Sequence, residues 1–190
     1  MITVNKANPT PGEITSSLTG STGDGAGLHF DGAAGSVSFT PVDLGAKFSF
    51  EFVVKADSLS GAANANCLAA FQGSGNAILG HDNGTLKFFS VGAWYDFGVN
   101  PLSDLKVHHL TLTVDGTSAT IFDNANQIAT ATITTSNIDS ATTARLGANA
   151  AGTSGFFDGT IYRARFYNKT LTSAEVQTAY ERADVQYGRQ

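Results

Sequence analysis

The sequence predicts an all-β protein, a sandwich or a barrel, whose chain ends in one short helix. From residue 28 onward, short runs of alternating apolar and polar residues are separated by turn dipeptides such as Asp31-Gly32 and Asp158-Gly159. This alternation is typical of half-buried strands, because successive side chains of a strand point to opposite faces. Charged residues make up only 14% of the chain, so Thr, Ser, Asn and Gly must form much of the surface, as is common in strand-rich proteins. A length of 190 residues suits one domain with a sizeable core.

Residues 1–27 differ in composition from the rest of the chain, because they are rich in Thr, Ser, Gly and Pro. Their large aliphatic residues are Ile2, Val4, Ile14 and Leu18. Fixing the backbone of one residue costs about 1–2 kcal/mol, so a segment this polar needs outside contacts to stay ordered. We therefore predict an N-terminal arm over 1–27, which docks on a partner or a second copy, and a sandwich domain over 28–190.

Three segments predict the core strands and their turns. In FSFEFVVKA, the rings of Phe48, Phe50 and Phe52 share one face, which we expect to be the core face because a shift of one residue would expose all three. AILGHDNGTLKFFSV predicts a hairpin that turns near Asn83-Gly84. HHLTLTVDGTSATIFDN predicts another at Asp115-Gly116, since both dipeptides adopt positive φ readily.

The terminal helix is predicted by a capping box and an apolar stripe. Thr172 and Glu175 have the spacing at which an N-cap hydroxyl and a carboxylate three residues later satisfy each other's backbone donors. Four residues then recur at helical spacing: Val176, Ala179, Tyr180 and Ala183. We expect the helix to start near Thr172.

Composition argues against several classes of function. The net charge is −5 and the 11 Lys and Arg residues are scattered singly, so no basic stripe is present to bind nucleic acid. The single cysteine, Cys67, excludes an intramolecular disulfide and a thiolate zinc site, and the apolar run NCLAAF predicts a buried, unreactive thiol. The first residues show no signal-peptide pattern, and no apolar run reaches the roughly 18 residues of a membrane span, so we expect no membrane insertion.

A resemblance to a known family is carried by three segments: LHFDGAAGSVSFT, HHLTLTVDGTSATIFDNANQIA and LGANAAGTSGFFDGTIYRARFYNKTLTSAEVQTAY. With these segments in this order, residues 28–180 resemble the laminin-G-like branch of the concanavalin A-like lectin/glucanase superfamily. The resemblance implies a concanavalin A-like jelly roll, in which two antiparallel sheets pack face to face and one is curved with a concave side. Phe-rich strands can fill the layer of about 10 Å between such sheets. The helix would pack Val176 and Tyr180 against one end of the sandwich.

Catalysis has little support in the acidic residues. Some members of this superfamily are glycosidases, which need two carboxyl groups about 5–10 Å apart on either side of the scissile bond. Of four Glu residues only Glu51 lies on a predicted strand, and no two acidic residues are two or four positions apart. A Gly-x-Ser-x-Gly motif is also absent from the sequence. We predict a protein that is not an enzyme, with a glycoside hydrolase built from distant strands as a remote alternative.

The two adjacent histidines, His108 and His109, do not predict a metal site. They lie on a predicted strand and face opposite sides, so they cannot easily bind one ion. We expect one structural and one exposed histidine.

Calcium is the ion that the resemblance suggests, because laminin-G-like relatives often hold it. Many of them carry acidic residues just after the closing Phe-Asp-Gly-x-Ile run, where this chain has Tyr162 and Arg163. We therefore expect no metal and no cofactor. Asp31 and Asp158 remain weak calcium candidates, although Asp before Gly is first of all a turn residue.

The ligand-binding candidates surround the single tryptophan in GAWYDFGV. Aromatic rings stack on sugars or anchor protein interfaces, so we assign Trp94, Tyr95 and Asp96 as candidates, together with His81 and Asp82 of the preceding hairpin. Alternation places Trp94 and Asp96 on one face and Tyr95 on the other. The alternative is that Trp94 is a core side chain.

Two hypotheses of function remain. The first is a non-catalytic recognition or decoration module on a larger assembly such as a phage virion, as a head decoration or a tail or adhesin component. The lack of a signal peptide favours this hypothesis, and the arm over 1–27 would provide the docking. The second is a secreted or cell-surface carbohydrate-binding module. Either way we expect a glycan or protein-surface ligand and a location on a virion or an extracellular surface.

Overall fold

In its described part, the computed structural model consists of two β-sheets, one α-helix and a short 3₁₀ helix. It describes residues 4–5, 11–12, 21–23, 27–41, 43–59, 66–73, 75–82, 84–135, 137–138 and 143–187. The strands within these ranges are β1 (Val4–Asn5), β2 (Pro11–Gly12), β3 (Ser21–Gly23), β4 (Leu28–Asp31), β5 (Val37–Phe39), β6 (Lys47–Ala56), β7 (Asn66–Gln72), β8 (Asn76–Asp82), β9 (Thr85–Ser90), β10 (Ala93–Asp96), β11 (Val107–Asp115), β12 (Ser118–Asp123), β13 (Asn126–Thr132), β14 (Thr143–Leu146) and β15 (Asp158–Tyr167). A 3₁₀ helix lies at Pro101–Asp104, and helix α1 spans Ser173–Tyr187.

The larger sheet, called the large sheet below, has the order β13-β12-β11-β6-β15-β1-β2, with β4 also paired to β15 and β3 to β4. β6 lies in its middle and pairs antiparallel with β11 on one side and β15 on the other. The small sheet has the order β10-β9-β8-β7-β14-β5, and its pairings are antiparallel. The predicted two-sheet antiparallel sandwich with one C-terminal helix is confirmed, and β1 adds one parallel pairing to it.

The described parts of the N-terminal region pair with the chain's own large sheet. Asn5 lies opposite Arg165 of β15, and β3 pairs antiparallel with β4 from Ser21 opposite Phe30 onward. The rest of 1–26 lies outside the described residues. Docking of this region on a partner stays a prediction, as does the domain boundary at residue 28.

The core between the sheets is built from aromatic rings. Phe48, Phe50 and Phe52 are fully buried in it, which confirms the predicted register of β6. Phe71 of the small sheet reaches the large sheet, with ring centroids 5.3 Å from Phe50 and 4.9 Å from Phe166. Each aromatic pair of this kind adds roughly 0.5–1.5 kcal/mol beyond its buried area, so these rings hold the two sheets together.

Helix α1 begins where the capping box predicts. The Glu175 amide donates to the Thr172 hydroxyl, and the Thr172 amide donates to the Glu175 carboxylate at 2.9 Å. The expected packing against one end of the sandwich is wrong. Val176 is buried with Phe122 and Leu171 on the outward face of the large sheet, because that face carries apolar and buried polar side chains that need a cover. Within the described part of the chain, no helix is long and apolar enough to cross a membrane.

Cys67 lies on β7 and is buried, as predicted. Burial raises the pKa of its thiol to about 12, so the side chain stays protonated at neutral pH.

Candidate functional site

The outward face of the small sheet carries an apolar row that crosses three strands. Phe89 of β9 lies directly opposite Ile78 of β8 on one side and Trp94 of β10 on the other. Residues in register share a face, and their neighbours Leu79 and Phe88 point into the core, so this row points outward. The Trp94 side of the row lies open, because that residue is 39% exposed while its ring stays within 5.1 Å of the Phe89 ring.

A charged group of three side chains lies beside this row. Lys87 is directly opposite Asp96, and its ammonium lies 3.9 Å from the Asp96 carboxylate and 3.0 Å from that of Asp82. The second oxygen of Asp96 accepts a hydrogen bond of 2.7 Å from the Gly98 amide, which fixes the direction of the carboxylate. The surface formed by these charged residues and the row is called the Trp94 face. Its members are Ile78, Asp82, Lys87, Phe89, Trp94 and Asp96.

The turn that brings β10 to this face is strained. Ser90 pairs with Ala93, so the hairpin loop is the two residues Val91 and Gly92, with φ of +48° and +76°. Two positive φ values are typical of a type I′ turn, which glycine and asparagine adopt readily and a β-branched residue does not. A strained residue next to an exposed aromatic ring is an arrangement that often accompanies function.

The five ligand candidates from the sequence divide between the two faces of the small sheet. Trp94, Asp82 and Asp96 come together on the outward face, so the alternative of a core Trp94 is wrong. Tyr95 points inward and packs partly on the core, and its hydroxyl oxygen accepts a hydrogen bond of 2.8 Å from the Thr134 amide. His81 is fully buried, so it lies away from the Trp94 face.

The environment of His81 explains why it stays neutral. Its ring lies 6.0 Å from the Phe157 ring, and neither ring nitrogen has a hydrogen-bond partner among the described residues. Burial lowers the pKa of His81 to about 4, because the loss of water outweighs the opposing charge of the Asp82 carboxylate.

Sequence reasoning missed three members of the Trp94 face, namely Ile78, Phe89 and Lys87. The signal was the register of two successive hairpins, which sets Phe89 and Lys87 beside the residues of β10. A local pattern shows which face a residue takes but not which residue of the next strand lies opposite.

The outward face of the large sheet holds a buried ionic cluster beneath α1. Glu51 is fully buried and accepts hydrogen bonds from Arg163 and Tyr167, and from His109 Nε2 at 3.2 Å. Burial alone would raise the pKa of Glu51, but the hydrogen bond from His109 and the charge of Arg163 outweigh it and lower the pKa to about 2. Arg163 also donates to the Ala179 carbonyl at 3.1 Å, so the cluster ties the helix to the sheet. Its closed position fits a structural role for Glu51.

Both strand histidines are buried, so the expectation of one exposed histidine is wrong. They do face opposite sides, as predicted. His108 lies between the carboxylates of Asp104 and Asp123, with both nitrogen–oxygen distances at 2.8 Å. Burial opposes its charge, but these hydrogen bonds prevail and raise the pKa of His108. His109 packs its ring 5.7 Å from that of Tyr180 on the helix.

The two calcium candidates lie opposite each other, Asp31 at the end of β4 and Asp158 at the start of β15. One oxygen of Asp31 accepts hydrogen bonds from three successive amides, those of Ala33, Ala34 and Gly35, at 2.9–3.1 Å. These bonds lower the pKa of Asp31 and give it the turn role that its Asp-Gly context suggests. Within the described ranges, no group of three or more His, Cys, Asp or Glu side chains is placed to hold a metal ion. Independence from calcium stays a prediction.

Comparison with known proteins gives a family and a set of solved structures. A family model described as the concanavalin A-like lectin/glucanases superfamily matches residues 31–177. No match was found among curated proteins.

Three solved structures illustrate the likeness. The sialidase of Trypanosoma rangeli in complex with sialic acid is 19% identical with a TM-score of 0.65, and the match covers 88% of this chain and 29% of that one. The CBM40 of the Ruminococcus gnavus IT-sialidase, bound to α2,3-sialyllactose, is 17% identical with a TM-score of 0.57 and coverages of 73% and 84%. Domain 4 of the extracellular arabinanase AbnA from Geobacillus stearothermophilus, in complex with arabinotriose, is 22% identical with a TM-score of 0.60 and coverages of 94% and 86%. At these identities the likeness shows the fold.

Proposed function

Because the chain belongs to the concanavalin A-like lectin/glucanase superfamily, we propose that it is a non-catalytic recognition module that binds a glycan on the Trp94 face. The observation that carries the proposal is the exposed Trp94 ring, in register with Phe89 and beside three charged side chains. The choice of the Trp94 face over the outward face of the large sheet is supported by the helix, because α1 covers that face of the large sheet.

The geometry suits a short stretch of sugar chain. Neighbouring strands lie about 4.8 Å apart, so the row from Ile78 to Trp94 spans roughly 10 Å, about the length of a disaccharide. The Trp94 ring offers an apolar surface to the C–H face of a sugar ring. Asp82 and Asp96 can accept hydrogen bonds from sugar hydroxyls, and Lys87 can donate them.

The charge of this face favours a neutral sugar. Two carboxylates and one ammonium give it a net charge of about −1, which repels a ligand carboxylate. Of the two ligand types bound by structural neighbours, a neutral sugar chain such as arabinotriose suits this face better than a sialic acid.

The absence of catalysis is part of the proposal. Glycoside hydrolysis needs one protonated and one ionised carboxyl group on either side of the bond. Glu51 lies closed beneath the helix, and Asp82 and Asp96 are both paired with the same ammonium group, that of Lys87. Incubating each bound oligosaccharide with the protein at pH 5 and pH 7 should release no reducing ends, and turnover would instead support the glycoside hydrolase alternative.

We place this module on a larger assembly such as a virion, or otherwise on an extracellular surface. The support is the composition of residues 1–27 and the lectin-like fold, so the location depends on the assembly test described in the Discussion.

The binding proposal is tested by one variant and a matched control. Wild-type protein is screened against an array of neutral and acidic oligosaccharides, and bound sugars are then titrated by calorimetry. Trp94→Ala should weaken binding of a neutral sugar at least tenfold, and Asp96→Asn should weaken it less. Val107→Ala is the control, because Val107 is 43% exposed on the other sheet. Unchanged affinity in Trp94→Ala, or no binding to any neutral sugar, would contradict the proposal.

A further inference from the structure

A pocket of about 290 Å³ lies between the end of β15 and one side of α1, away from the Trp94 face. Arg165 and Tyr167 line it from the strand, and Lys169 lines it from the connection that follows. Glu175, Thr178 and Arg182 line it from the helix, since their spacing places them on one helical face.

The charge of this pocket is opposite to that of the whole chain. Three cationic side chains and one carboxylate line it, a net charge of +2 in a chain of net charge −5. Lys169 is paired with Glu175, so the surplus belongs to Arg165 and Arg182.

Neither of these two guanidinium groups has a full counter-charge of its own. Arg165 lies 3.7 Å from Glu51, whose carboxylate already accepts hydrogen bonds from Arg163 and Tyr167. Arg182 has no ion-pair partner among the residues that the structure describes. The pocket therefore has a positive potential that its own residues leave unneutralised.

We propose that this pocket binds an oxyanion, the carboxylate or sulfate group of an acidic sugar residue. Guanidinium groups from opposite walls, strand and helix, suit an oxyanion because each can donate two parallel hydrogen bonds to it. Tyr167 and Leu171 give the pocket an apolar wall for a sugar ring, and a volume of about 290 Å³ holds a single monosaccharide. The protein would then carry two sites of different chemistry, for neutral sugar on the small sheet and for acidic sugar on the large sheet.

The test uses three probes that differ in one group: glucose, D-glucuronate and glucose 6-sulfate. Each is titrated into the isotopically labelled protein up to about 20 mM at constant ionic strength, and amide shifts are followed by NMR. We expect one or both acidic sugars to shift amides of the pocket residues and glucose to leave these pocket amides unshifted. The acidic sugar that binds identifies carboxylate or sulfate as the preferred group.

Single substitutions determine whether binding depends on the two unneutralised arginines. Arg182→Gln and Arg165→Gln should each weaken binding of the acidic sugar at least tenfold. Arg165→Gln removes a neighbour of the buried Glu51 and can therefore disturb the fold. Arg182 is exposed, so Arg182→Gln tests the pocket without this complication. Lys47→Gln is the control, because this exposed cation pairs with Asp115 away from the pocket.

The expected result is independent of the proposed function, since Trp94→Ala should leave binding of the acidic sugar unchanged. The proposal is overturned if glucose shifts the pocket amides as strongly as the acidic sugars do, if no acidic sugar shifts these amides, or if Arg182→Gln and Arg165→Gln both bind the acidic sugar like the wild type.

Discussion

At the scale of single residues, Glu51 is a side chain that connects several elements of the fold. Its carboxylate joins three strands, since Arg163 and Tyr167 lie on β15 and His109 lies on β11. Through Arg163 it also holds the helix in place. A buried charge of this kind stabilises the fold only while its partners remain, because the interactions with these partners offset the cost of removing the charge from water.

Glu51→Gln should therefore lower the free energy of unfolding by about 3–5 kcal/mol, since it leaves Arg163 buried without its counter-charge. Urea unfolding followed by circular dichroism measures the change. Glu181→Gln makes the same substitution at an exposed position and should stay within about 0.5 kcal/mol of the wild type. Equal stability of the two variants would show that the cluster contributes little.

His81 gives the protein a stability that depends on pH. Its pKa is about 4 in the folded chain, against 6.5 for the free side chain, so the unfolded chain binds the proton first as pH falls. The stabilisation by neutral His81 is complete above pH 6.5 and is lost as pH falls toward 4, by up to about 3 kcal/mol.

His81→Leu should remove this part of the pH dependence, so the variant gains stability relative to wild type between pH 7 and pH 4.5. His29→Leu is the control, because His29 is exposed. The measurement is the unfolding midpoint of each variant at four or five pH values. Curves of midpoint against pH that run parallel for His81→Leu and wild type would contradict the prediction.

Residue-scale predictions from the sequence were good where they depended on strand alternation. The core face of Phe48 and Phe50 and the shared face of Trp94 and Asp96 follow from it, although alternation left open whether Trp94 points outward or into the core. The setting of Glu51 does not, because its partners Arg163 and Tyr167 lie 112 and 116 residues further along the chain. Local patterns hold no information on such pairings, and the same is true of the pocket beside α1.

At the scale of elements, the β9–β10 hairpin combines a well-formed register with an unfavourable turn residue. The left-handed conformation costs a residue with a Cβ about 1–2 kcal/mol. Val91 adopts this conformation although it has a Cβ, which glycine lacks.

Val91→Asn should therefore raise the free energy of unfolding by about 1 kcal/mol, because Asn-Gly is a preferred type I′ pair. The matched control is Val107→Asn, at a strand position where valine is favoured, which should be neutral or destabilising. Thermal unfolding compares them, and a gain in Val107→Asn equal to that in Val91→Asn would mean that the turn is not the cause.

The helix shows how far element prediction reaches. The capping box located its first residue, because a cap is a contact between residues three apart. The apolar stripe correctly predicted that Val176 is buried, but the surface that buries it is set by the order of strands in the large sheet, which a helical pattern does not encode.

At the scale of the whole molecule, we expect residues 1–27 to serve an assembly rather than the fold. Their described strands are two or three residues long and join the outer part of the large sheet. Pairings this short add few backbone hydrogen bonds, so the arm can act in assembly without being needed by the sandwich.

Deleting residues 1–24 should leave a folded monomer with nearly unchanged melting temperature and should abolish self-association or attachment to a parent particle. Light scattering and co-sedimentation with particles measure association, and the full chain is the reference. A truncated chain that unfolds would show that the arm belongs to the sandwich. One that folds and still associates would remove the support for assembly through the arm.

The position of β15 has a consequence for how the protein is made. β6 is paired on one side with β11 and on the other with β15, which follows every other described strand along the chain. During synthesis β6 therefore leaves the ribosome long before β15 has been made. Until then the backbone N–H and C=O groups on the β15 side of β6 remain unpaired. Such an edge invites pairing with another nascent chain. We expect the sandwich to close only once β15 has left the ribosome, and chaperones that bind nascent chains to matter most until then.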